Sequence, residues 1–301
     1  MAISPAAPAC VVLAHEDPVH VRRLVEALDP FPVFLHCDSR TPDDVHRAMT
    51  EGLPDRVRLL PRIRTGWARW ENVEAEVAGY RAALAETDAT HVAVLTGSDY
   101  PLASPAETTA LLEAHRDRSF VFAHPLPHPE WGRDGGVGRI RYRHWAWRKH
   151  MLRLPVPRRA PRDVVLTGGS QLKVLARRHA AAVVDAVDRR PDLTDFWRRT
   201  WAADETFVLS VLGSPALVPG FADEHVPHSL WWIGWDGTAQ KSPPWLTIED
   251  AGRLLAGRTD TADALPQVFA RKFSTDRSAD LLDVVDGAFG LRPGVAAAVT
   301  S

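Results

Sequence analysis

Short apolar runs alternate with helical segments over the first 125 residues, and this alternation constrains the fold more than any other feature. Runs typical of buried strands lie at residues 10–14, 33–37, 57–60, 91–95 and 120–122. Apolar residues at helical spacing predict helices at residues 19–28, from 41 onwards, at 71–85 and at 105–116. Strands that alternate with helices favour a mostly parallel sheet covered on both faces, so the sequence predicts an α/β fold.

Local signals mark the starts of three helices. Asp17, followed by a proline, precedes the first helix. Thr41 is expected to cap the second helix, with Pro42 at its first position. Thr247 is expected to cap a helix at residues 247–256, with an aspartate three residues after the cap.

The periodicity weakens in the middle of the chain. Residues 124–161 are rich in Pro, Arg, His and Trp, which predicts an irregular excursion rather than a second domain. Beyond it, strands are predicted at residues 164–167 and 229–235, and helices at residues 172–187 and 204–212. Because there is no internal repeat and no clean linker, we predict one domain.

Composition excludes several classes of protein. Hydrophobic residues make up 45% of the 301 residues and charged residues 25%, which is typical of a globular protein with a sizeable core. A disordered chain, a collagen-like fibre and a disulfide scaffold are therefore excluded. The formal net charge of −2 gives no overall positive field that would attract nucleic acid or acidic lipid.

The two cysteines and the absence of long apolar runs bear on the compartment. Cys10 and Cys37 lie in or beside apolar runs, which favours a reduced protein, although a structural disulfide is left open. No apolar run approaches the roughly 18 residues that span a bilayer. Residues 1–8 contain no basic segment leading into an apolar one. We therefore expect no transmembrane segment, no secretory signal and a cytoplasmic protein.

Several catalytic and cofactor motifs are absent from the sequence. It contains no phosphate-binding loop of the G-x-x-x-x-G-K-[ST] type, no G-x-S-x-G elbow and no Asp-x-Asp pair. The glycine-rich residues 135–138 lack the third glycine and the preceding strand of a dinucleotide site. His124 and His128 are four residues apart, but neighbouring prolines rule out a helical metal pair. We expect neither a metal nor another cofactor.

Polar residues follow three of the predicted strands, at the end where open parallel sheets bind ligands. His15 follows the first strand, Asp38 the second and Asp99 the central one. All three are candidates for ligand contacts. The alternative, which the sequence leaves open, is that Asp38 and Asp99 cap turns and that His15 is a hydrogen-bonded histidine at a strand end.

Two further segments offer surfaces for a sugar or a base. Trp67, in the loop before the long helix, presents a flat face to a ligand or packs within a turn. Gly169, Ser170 and Gln171 lie between a predicted strand and a predicted helix. The glycine permits close backbone approach, and the polar side chains can bond hydroxyl groups. The alternative is a tight turn with Ser170 as the cap of the next helix.

Asp204 and Glu205 open a predicted helix. The helix dipole favours acidic residues there by about 0.3–1 kcal/mol each, so the charges need no catalytic explanation. A carboxylate that starts a helix within a cleft can also act as a general base. The sequence alone does not decide between a helix-start role and a general-base role for these carboxylates.

The last third of the chain combines tryptophans with cations. Trp232 and Trp235 belong to a group of tryptophans outside helices, which suits sugar stacking or core packing, and Lys241 lies among them. Arg271 and Lys272 stand between two phenylalanines. Cations beside an apolar wall suit a phosphate, and the alternative is a solvated surface pair.

In this order, the segments resemble the core-2/I-branching β-1,6-N-acetylglucosaminyltransferases, a family whose relatives include the peptide O-xylosyltransferases. The most specific match is residues 95–102, Leu-Thr-Gly-Ser-Asp-Tyr-Pro-Leu, and the resemblance spans residues 9–273. The other matching stretches are residues 33–39, 66–76, 169–171, 203–207 and 268–273.

The resemblance implies a fold of the glycosyltransferase-A type. Residues 1–125 would bind the nucleotide-sugar, and residues 126–301 would hold the acceptor and the catalytic groups. The implied reaction is inverting transfer from a UDP-sugar (UDP-GlcNAc, UDP-glucose or UDP-xylose) to a hydroxyl group of a glycan or small-molecule acceptor. Glu205 matches the general base of the family, and Lys272 matches the cation on the leaving diphosphate.

The remaining residues divide between the two substrates. The expected donor contacts are His15, Asp38, Trp67, Asp99, Lys241 and Arg271. The expected acceptor contacts are Gly169, Ser170, Gln171, Asp204, Trp232 and Trp235. Because the Asp-x-Asp pair is missing, we expect fixed cations to replace a divalent metal. The alternatives are a non-catalytic protein that binds nucleotide-sugars or glycans and, last, a nucleotidyltransferase, which would need metal-binding acidic pairs.

Overall fold

The computed structural model describes residues 7–147, 150–235, 237, 242–260 and 265–292. Its strands are β1 (Pro8–Ala14), β2 (Val33–Cys37), β3 (Val57–Leu59), β4 (His91–Thr96), β5 (Asp99–Pro101), β6 (Ser119–Phe120), β7 (Ala123–Pro125), β8 (Tyr142–Trp147), β9 (His150–Pro157), β10 (Thr167–Gly169), β11 (Lys173–Ala176), β12 (His225–Val226), β13 (Trp231–Ile233) and β14 (Phe269–Arg271). Its helices are α1 (Pro18–Ala27), α2 (Asp43–Thr50), α3 (Trp70–Glu86), α4 (Pro105–Ala114), α5 (Val137–Arg141), α6 (Arg177–Arg189), α7 (Pro191–Trp197), α8 (Phe207–Leu212), α9 (Phe221–Glu224), α10 (Ala251–Gly257) and α11 (Thr275–Phe289). None of the helices within these ranges is long and apolar enough to cross a membrane.

Seven strands form a central sheet in the order β12-β6-β11-β4-β1-β2-β3. Strands β4, β1, β2 and β3 are parallel, and β12 is parallel to β6. Among the described strands of this sheet, only β11 runs antiparallel to its neighbours, which are β4 and β6. The prediction of a mostly parallel α/β sheet flanked by helices is confirmed.

The sheet separates two hydrophobic cores, and alternate residues of β1 point into different ones. Cys10 and Val12 pack in a core with α1 and α11. Ala9 and Val11 pack in a second core with α3, α6 and α8. A strand covered on both sides is apolar along its whole length, which explains why β1 was predictable from a continuous apolar run.

The two cysteines are both buried and both free, so the disulfide that the sequence left open is not formed. Cys10 lies on β1, and burial raises the pKa of its thiol to about 12. The Cys37 thiol at the end of β2 also has a raised pKa because of burial. Both thiols are therefore protonated packing groups at neutral pH.

The start of α1 agrees with its sequence signal, and the start of α2 does not. Asp17 caps α1 and accepts the backbone N–H of His20 at 3.1 Å. Helix α2 begins after Pro42, one residue later than predicted. The hydroxyl of Thr41 donates instead to the carbonyl oxygen of His15 at 2.8 Å, so it ties the ends of β1 and β2 together.

The second half departs further from the sequence prediction. Residues 172–187, predicted as one helix, form strand β11 followed by α6. Strand β11 fills the place between β4 and β6, so sheet pairing overrides local helical spacing. The strand predicted at 164–167 begins only at Thr167. The excursion at 124–161 is not irregular throughout, because it contains the β8–β9 hairpin, whose strands pair only with each other among the described strands.

A second sheet joins β13, β14 and β5. Strand β14 runs antiparallel to β5, with Arg271 opposite Asp99. Strand β13, shorter than the predicted strand at 229–235, lies parallel to β14 on its other side. Neither β14 nor the helix α11 after it was predicted. Together they carry the C-terminal cations to the end of β4.

Candidate active site

The candidate site lies along the edge of the sheet where β1, β2 and β4 end. Because these strands are parallel, the residues that follow them meet at one edge. Strand β11 is antiparallel to β4, with Lys173 paired to Val94, so residues 169–171 reach the same edge before β11 begins. The structure thus brings together segments that were predicted separately.

Asp38 at the end of β2 is buried and fully engaged with its own loops. Its carboxylate accepts the backbone N–H of Arg40 at 2.7 Å and that of Thr65 at 3.1 Å. It also pairs with the Arg40 guanidinium at 2.9 Å. These hydrogen bonds hold the pKa of Asp38 well below its usual range, against the opposing effect of burial. Asp38 therefore acts as a turn anchor that presents the half-exposed Arg40 at the edge.

His15 is exposed at the end of β1. Its Nε2 lies 3.5 Å from a carboxylate oxygen of Glu16. Its carbonyl oxygen is held by Thr41, so the backbone is fixed while the ring remains accessible. The position is compatible with the predicted donor contact.

Asp99 is fully buried. It accepts the backbone N–H of Thr96 at 2.6 Å and the guanidinium of Arg271 at 2.9 Å. Burial raises the pKa of Asp99, and the positive charge of Arg271 opposes that effect. The buried Asp99 carboxylate holds Arg271, and its predicted contact with the donor stays a prediction.

Lys272 lies beside the end of β1. Its Nζ stands 3.9 Å from the ring centre of Trp245. Burial and the neighbouring Arg271 lower the pKa of Lys272, and Glu16 opposes the shift. The next residue, Phe273, donates its backbone N–H to the carbonyl oxygen of Ser98 at 2.9 Å. Two cations therefore lie where β1 and β4 end. Lys241, the third predicted cation, lies outside the described residues.

Glu205 ends a short 3₁₀ helix, Ala203–Glu205, that precedes α8. Its side chain is 41% exposed, and one carboxylate oxygen lies 2.7 Å from Nη1 of Arg139. Burial raises the pKa of Glu205, and Arg139 opposes the shift. The Arg139 guanidinium lies 4.4 Å from the ring centre of Trp131 and 5.2 Å from that of Trp201. A reachable carboxylate thus lies beside an aromatic wall.

The loop that carries Trp67 packs beside this carboxylate. Ala202 donates its backbone N–H to the carbonyl oxygen of Ala68 at 3.0 Å. The Trp67 ring is 64% exposed and lies 6.2 Å from the ring of Trp201. The structure therefore places Trp67, predicted as a donor contact, on the Glu205 side of the site.

Asp204 is buried next to Glu205. It accepts a hydrogen bond from Nδ2 of Asn72 at 2.8 Å, while its Oδ1 has no partner among the described residues. Burial and the negative charge of Glu205 raise the pKa of Asp204 to about 7. Asp204 is thus a buried neighbour of Glu205, and its predicted acceptor contact stays a prediction.

The segment at 169–171 forms a turn between two strands, not the start of a helix. A Cβ on Gly169 would fall 1.9 Å from the carbonyl oxygen of Phe122, so β10 and β7 approach closely only with glycine here. The hydroxyl of Ser170 accepts the backbone N–H of Leu172 at 3.0 Å. Gln171 is half-buried in this turn. The expected cap at Ser170 is corrected, because β11 follows.

The two C-terminal tryptophans have different environments. Trp232 is buried in the core with Leu246 and Leu254, and the Arg253 guanidinium lies 5.2 Å from its ring centre. The ring packs in the core, and its predicted acceptor contact stays a prediction. Trp235 is exposed.

Sequence reasoning missed Arg139, Trp131 and Trp201. Arg139 is 66 residues from Glu205, and the excursion that holds it has no periodicity. Gly136 and Gly168 both lie against Trp131, since a Cβ on either would come within 2.6 Å of its ring. These glycines were the weak signal in the sequence that pointed to close packing around Trp131. Among the described residues, no group of three or more His, Cys, Asp or Glu side chains gathers that could hold a metal.

A family model for the Core-2/I-Branching enzyme matches residues 23–255, more than half of the chain. The chain belongs to the Core-2/I-branching enzyme family. The resemblance stated from sequence is confirmed, and Glu205 lies within the matched segment. Arg271 and Lys272 lie beyond it, so their roles stay predictions.

The curated relatives of this family member include xylosyltransferases. Human xylosyltransferase 2 is 24% identical over 289 residues, covering 88% of this chain and 31% of the human protein. Xylosyltransferase 2 of Rattus norvegicus is 24% identical over 208 residues, covering 64% of this chain and 22% of the rat protein. The chain thus spans about a third or less of these relatives.

Two solved structures are similar at a low level. HddC from Yersinia pseudotuberculosis has a TM-score of 0.29 and 9% identity, covering 58% of this chain and 78% of HddC. A putative glucose-1-phosphate thymidylyltransferase from Bacillus anthracis, in complex with a sucrose, has a TM-score of 0.31 and 10% identity. The match covers 63% of this chain and 81% of the thymidylyltransferase chain. Scores this low carry no inference about the site.

Proposed function

We propose that this Core-2/I-branching family member is an inverting glycosyltransferase that moves a sugar from a UDP-sugar to an acceptor hydroxyl group. The observation that carries the proposal is Glu205. It is a reachable carboxylate with a raised pKa, set beside Trp67, Trp131 and Trp201. A general base needs access and a pKa raised towards the working pH, and a sugar needs flat apolar faces.

In the proposed reaction, the acceptor hydroxyl transfers its proton to a carboxylate oxygen of Glu205. The hydroxyl oxygen attacks the anomeric carbon on the face opposite UDP, and the bond from that carbon to the diphosphate oxygen breaks. Arg139, 2.7 Å from the carboxylate, keeps Glu205 ionised before the proton arrives. Asn72 donates to the side chain of Asp204, the residue before Glu205.

The leaving diphosphate gains negative charge as the bond breaks. Arg271 is aimed by Asp99, and Lys272 lies next to it at the end of β1. A pair of unit charges 4 Å apart is worth about 4 kcal/mol at an effective dielectric constant near 20. That corresponds to roughly 10²–10³ in rate. This cationic pair supports a metal-independent mechanism.

The donor would lie along the sheet edge, with the nucleotide near His15 and the Asp38–Arg40 turn. The relatives' name adds support for xylose as one donor sugar, beside N-acetylglucosamine and glucose. The acceptor, a glycan or a small molecule, would lie against the tryptophans beside Glu205. Melting temperatures measured with a panel of UDP-sugars would distinguish the donors, since a bound ligand raises the melting temperature by mass action.

One observation favours a second candidate, a non-catalytic protein that binds nucleotide-sugars or glycans. The ion pair with Arg139 occupies one oxygen of Glu205, as it would in a carboxylate with a purely structural role. Hydrolysis of a UDP-sugar by the purified protein separates the two candidates, because a binding protein releases no UDP.

The substitution Glu205→Gln tests the proposal. It keeps the shape and removes the base, so we expect transfer or hydrolysis to fall by at least about 10²-fold while UDP binding persists. Glu249→Gln, at an exposed position, is the matched control. Near-normal turnover in the Glu205 variant would rule out its role as the base. Activity should also survive excess chelator, and a complete loss that manganese restores would refute metal independence.

A further inference from the structure

The β8–β9 hairpin has an outward apolar face. Its pairing sets Arg143 opposite Leu154 and Trp145 opposite Leu152, so these side chains share one face, and Val156 lies two residues further along β9, where the register shifts. The exposed fractions are 51% for Trp145, 47% for Leu152, 42% for Leu154 and 57% for Val156. We call these four residues the hairpin stripe. Contiguous exposed apolar side chains on a soluble protein mark an interaction surface.

Near His144 the hairpin packs on the protein, whereas β9 is exposed at every residue from Leu152 to Pro157. His144 is buried there, and its backbone N–H donates to the carbonyl oxygen of Arg199 at 2.9 Å. The alternation of β8 thus turns Trp145 away from the buried His144.

A cavity of about 640 Å³ lies at the base of the hairpin. We call it the arginine cavity, and the arginines that line it are Arg143, Arg158, Arg159, Arg198 and Arg199. Three acidic residues, Glu71, Asp192 and Asp195, also line it. Asp192 is paired with Arg190 outside the cavity at 2.7 Å, and Arg198 is paired with Glu74 at 2.8 Å.

Four of these arginines have no ion pair within the described part of the chain: Arg143, Arg158, Arg159 and Arg199. Arg158 is half-buried and is held by neutral oxygens, at 3.0 Å by the Ile140 carbonyl and at 2.5 Å by the Thr200 hydroxyl. Burial and the nearby Arg143 lower the pKa of Arg158 to about 10. The unpaired arginines outnumber Glu71 and Asp195, the acidic lining residues without an ion pair in the described part of the chain, so the cavity keeps an excess of positive charge that favours an anionic ligand.

The stripe and the cavity adjoin. Arg143 lines the cavity and lies on the stripe's face, two residues from Trp145. The guanidinium of Arg199 stands 4.0 Å from the ring centre of Trp145. An apolar strip bordered by a cavity with an excess of arginines, with tryptophan at the boundary, is complementary to a lipid surface with anionic headgroups.

We propose that this hairpin docks the protein on an anionic lipid bilayer. The stripe enters the acyl boundary, Trp145 lies at the headgroup level, and lipid phosphates enter the arginine cavity. The net charge of −2 over the whole chain does not oppose this, because screening makes a local cluster act within about 8 Å. The proposal does not depend on the proposed transferase activity.

Sedimentation of the purified full chain with vesicles tests the proposal. We expect binding to phosphatidylcholine vesicles that contain phosphatidylglycerol, little binding to phosphatidylcholine alone, and loss of binding at 0.5 M salt. Leu154→Glu tests the stripe and Arg159→Glu tests the cavity. Each should weaken binding about tenfold or more, because Arg159→Glu changes the local charge by two and Leu154→Glu places a negative charge within the apolar stripe. Val19→Glu and Arg47→Glu, at exposed sites on other elements, are the matched controls.

Melting temperatures show that each variant is folded, and either variant alone suffices if the other is not. The proposal is wrong if neutral and anionic vesicles bind equally or not at all. It is also wrong if inorganic phosphate binds in solution while vesicles do not, which would indicate a soluble anion. A dimer that Leu154→Glu dissociates, without vesicle binding, would overturn it in favour of a second copy.

Discussion

Glu76 and Lys173 form an ion pair of 2.8 Å with neither side chain exposed. The Tyr80 hydroxyl also donates to Glu76, and one oxygen of Glu76 has no partner among the described residues. The pair joins α3 to β11 beneath the candidate site. Removing one partner of such a pair leaves an uncompensated buried charge, which costs more than removing both.

Lys173→Met is therefore expected to lower the free energy of unfolding by about 3–5 kcal/mol. The double variant with Glu76→Gln should recover a large part of that loss, since no buried charge remains. Urea unfolding of the wild type, both single variants and the double variant gives the coupling. Additive losses in the double variant would contradict the assignment.

Asp204 should make stability depend on pH. Its pKa of about 7 lies above the ordinary value for an aspartate, so between about pH 4 and pH 7 the folded protein keeps a proton that the unfolded chain has released. Stability therefore falls as the pH rises through this window.

Asp204→Asn removes that titration. We expect the variant to be more stable than the wild type at pH 8, by on the order of 2–4 kcal/mol, and nearly equal at pH 4. Thermal unfolding from pH 4 to pH 8 measures it, with the exposed Asp223→Asn as control. Parallel pH curves for the Asp204 variant and the wild type would show that Asp204 is ionised throughout.

At the scale of elements, α3 lies against β1 at a glycine. A Cβ on Gly79 would fall 2.3 Å from a Cγ atom of Val11, so helix and strand meet at this distance only without a side chain. A Cβ on Gly287 in α11 would instead meet open space, with nothing within 4 Å. Close packing therefore requires glycine at position 79 but not at position 287.

Gly79→Ala is expected to destabilise the protein by about 1–3 kcal/mol through overpacking. Gly287→Ala should stabilise it by about 0.5–1 kcal/mol, because alanine favours the helix. Chemical denaturation of both variants measures the difference. Equal effects at the two positions would mean that α3 moves away from β1 without cost.

The elements that local chemistry specifies were predictable. Asp17 caps α1, and Thr247 and Asp250 form the reciprocal pair that opens the short helix before α10. Residues 172–187 were not predictable, because their first part pairs as β11 between strands from distant parts of the chain. Local spacing cannot say which apolar run becomes an inner strand.

At the scale of the whole molecule, the proposed donor site depends on the C-terminal segment. Arg271 reaches Asp99 across 172 positions of sequence, and Lys272 follows it to the end of β1. A nucleoside diphosphate bound there would link the first and last thirds of the chain.

Lys272→Ala should therefore weaken UDP binding by about 10- to 100-fold, the worth of one hydrogen bond to a charged group. Calorimetric titration with UDP measures the affinity. Arg47→Ala, on the surface of α2, should bind as the wild type does. An unchanged affinity in the Lys272 variant would place the diphosphate elsewhere.

By itself, the sequence determined the parallel half of the sheet, several helix starts and the family, since these depend on apolar runs, caps and short motifs. Only the tertiary structure decided the partners of the charged side chains. Glu205 meets Arg139, and Asp99 is buried on Arg271 instead of facing a ligand. Apolar spacing and capping within an element are local properties, whereas contact between charges depends on how distant elements pack.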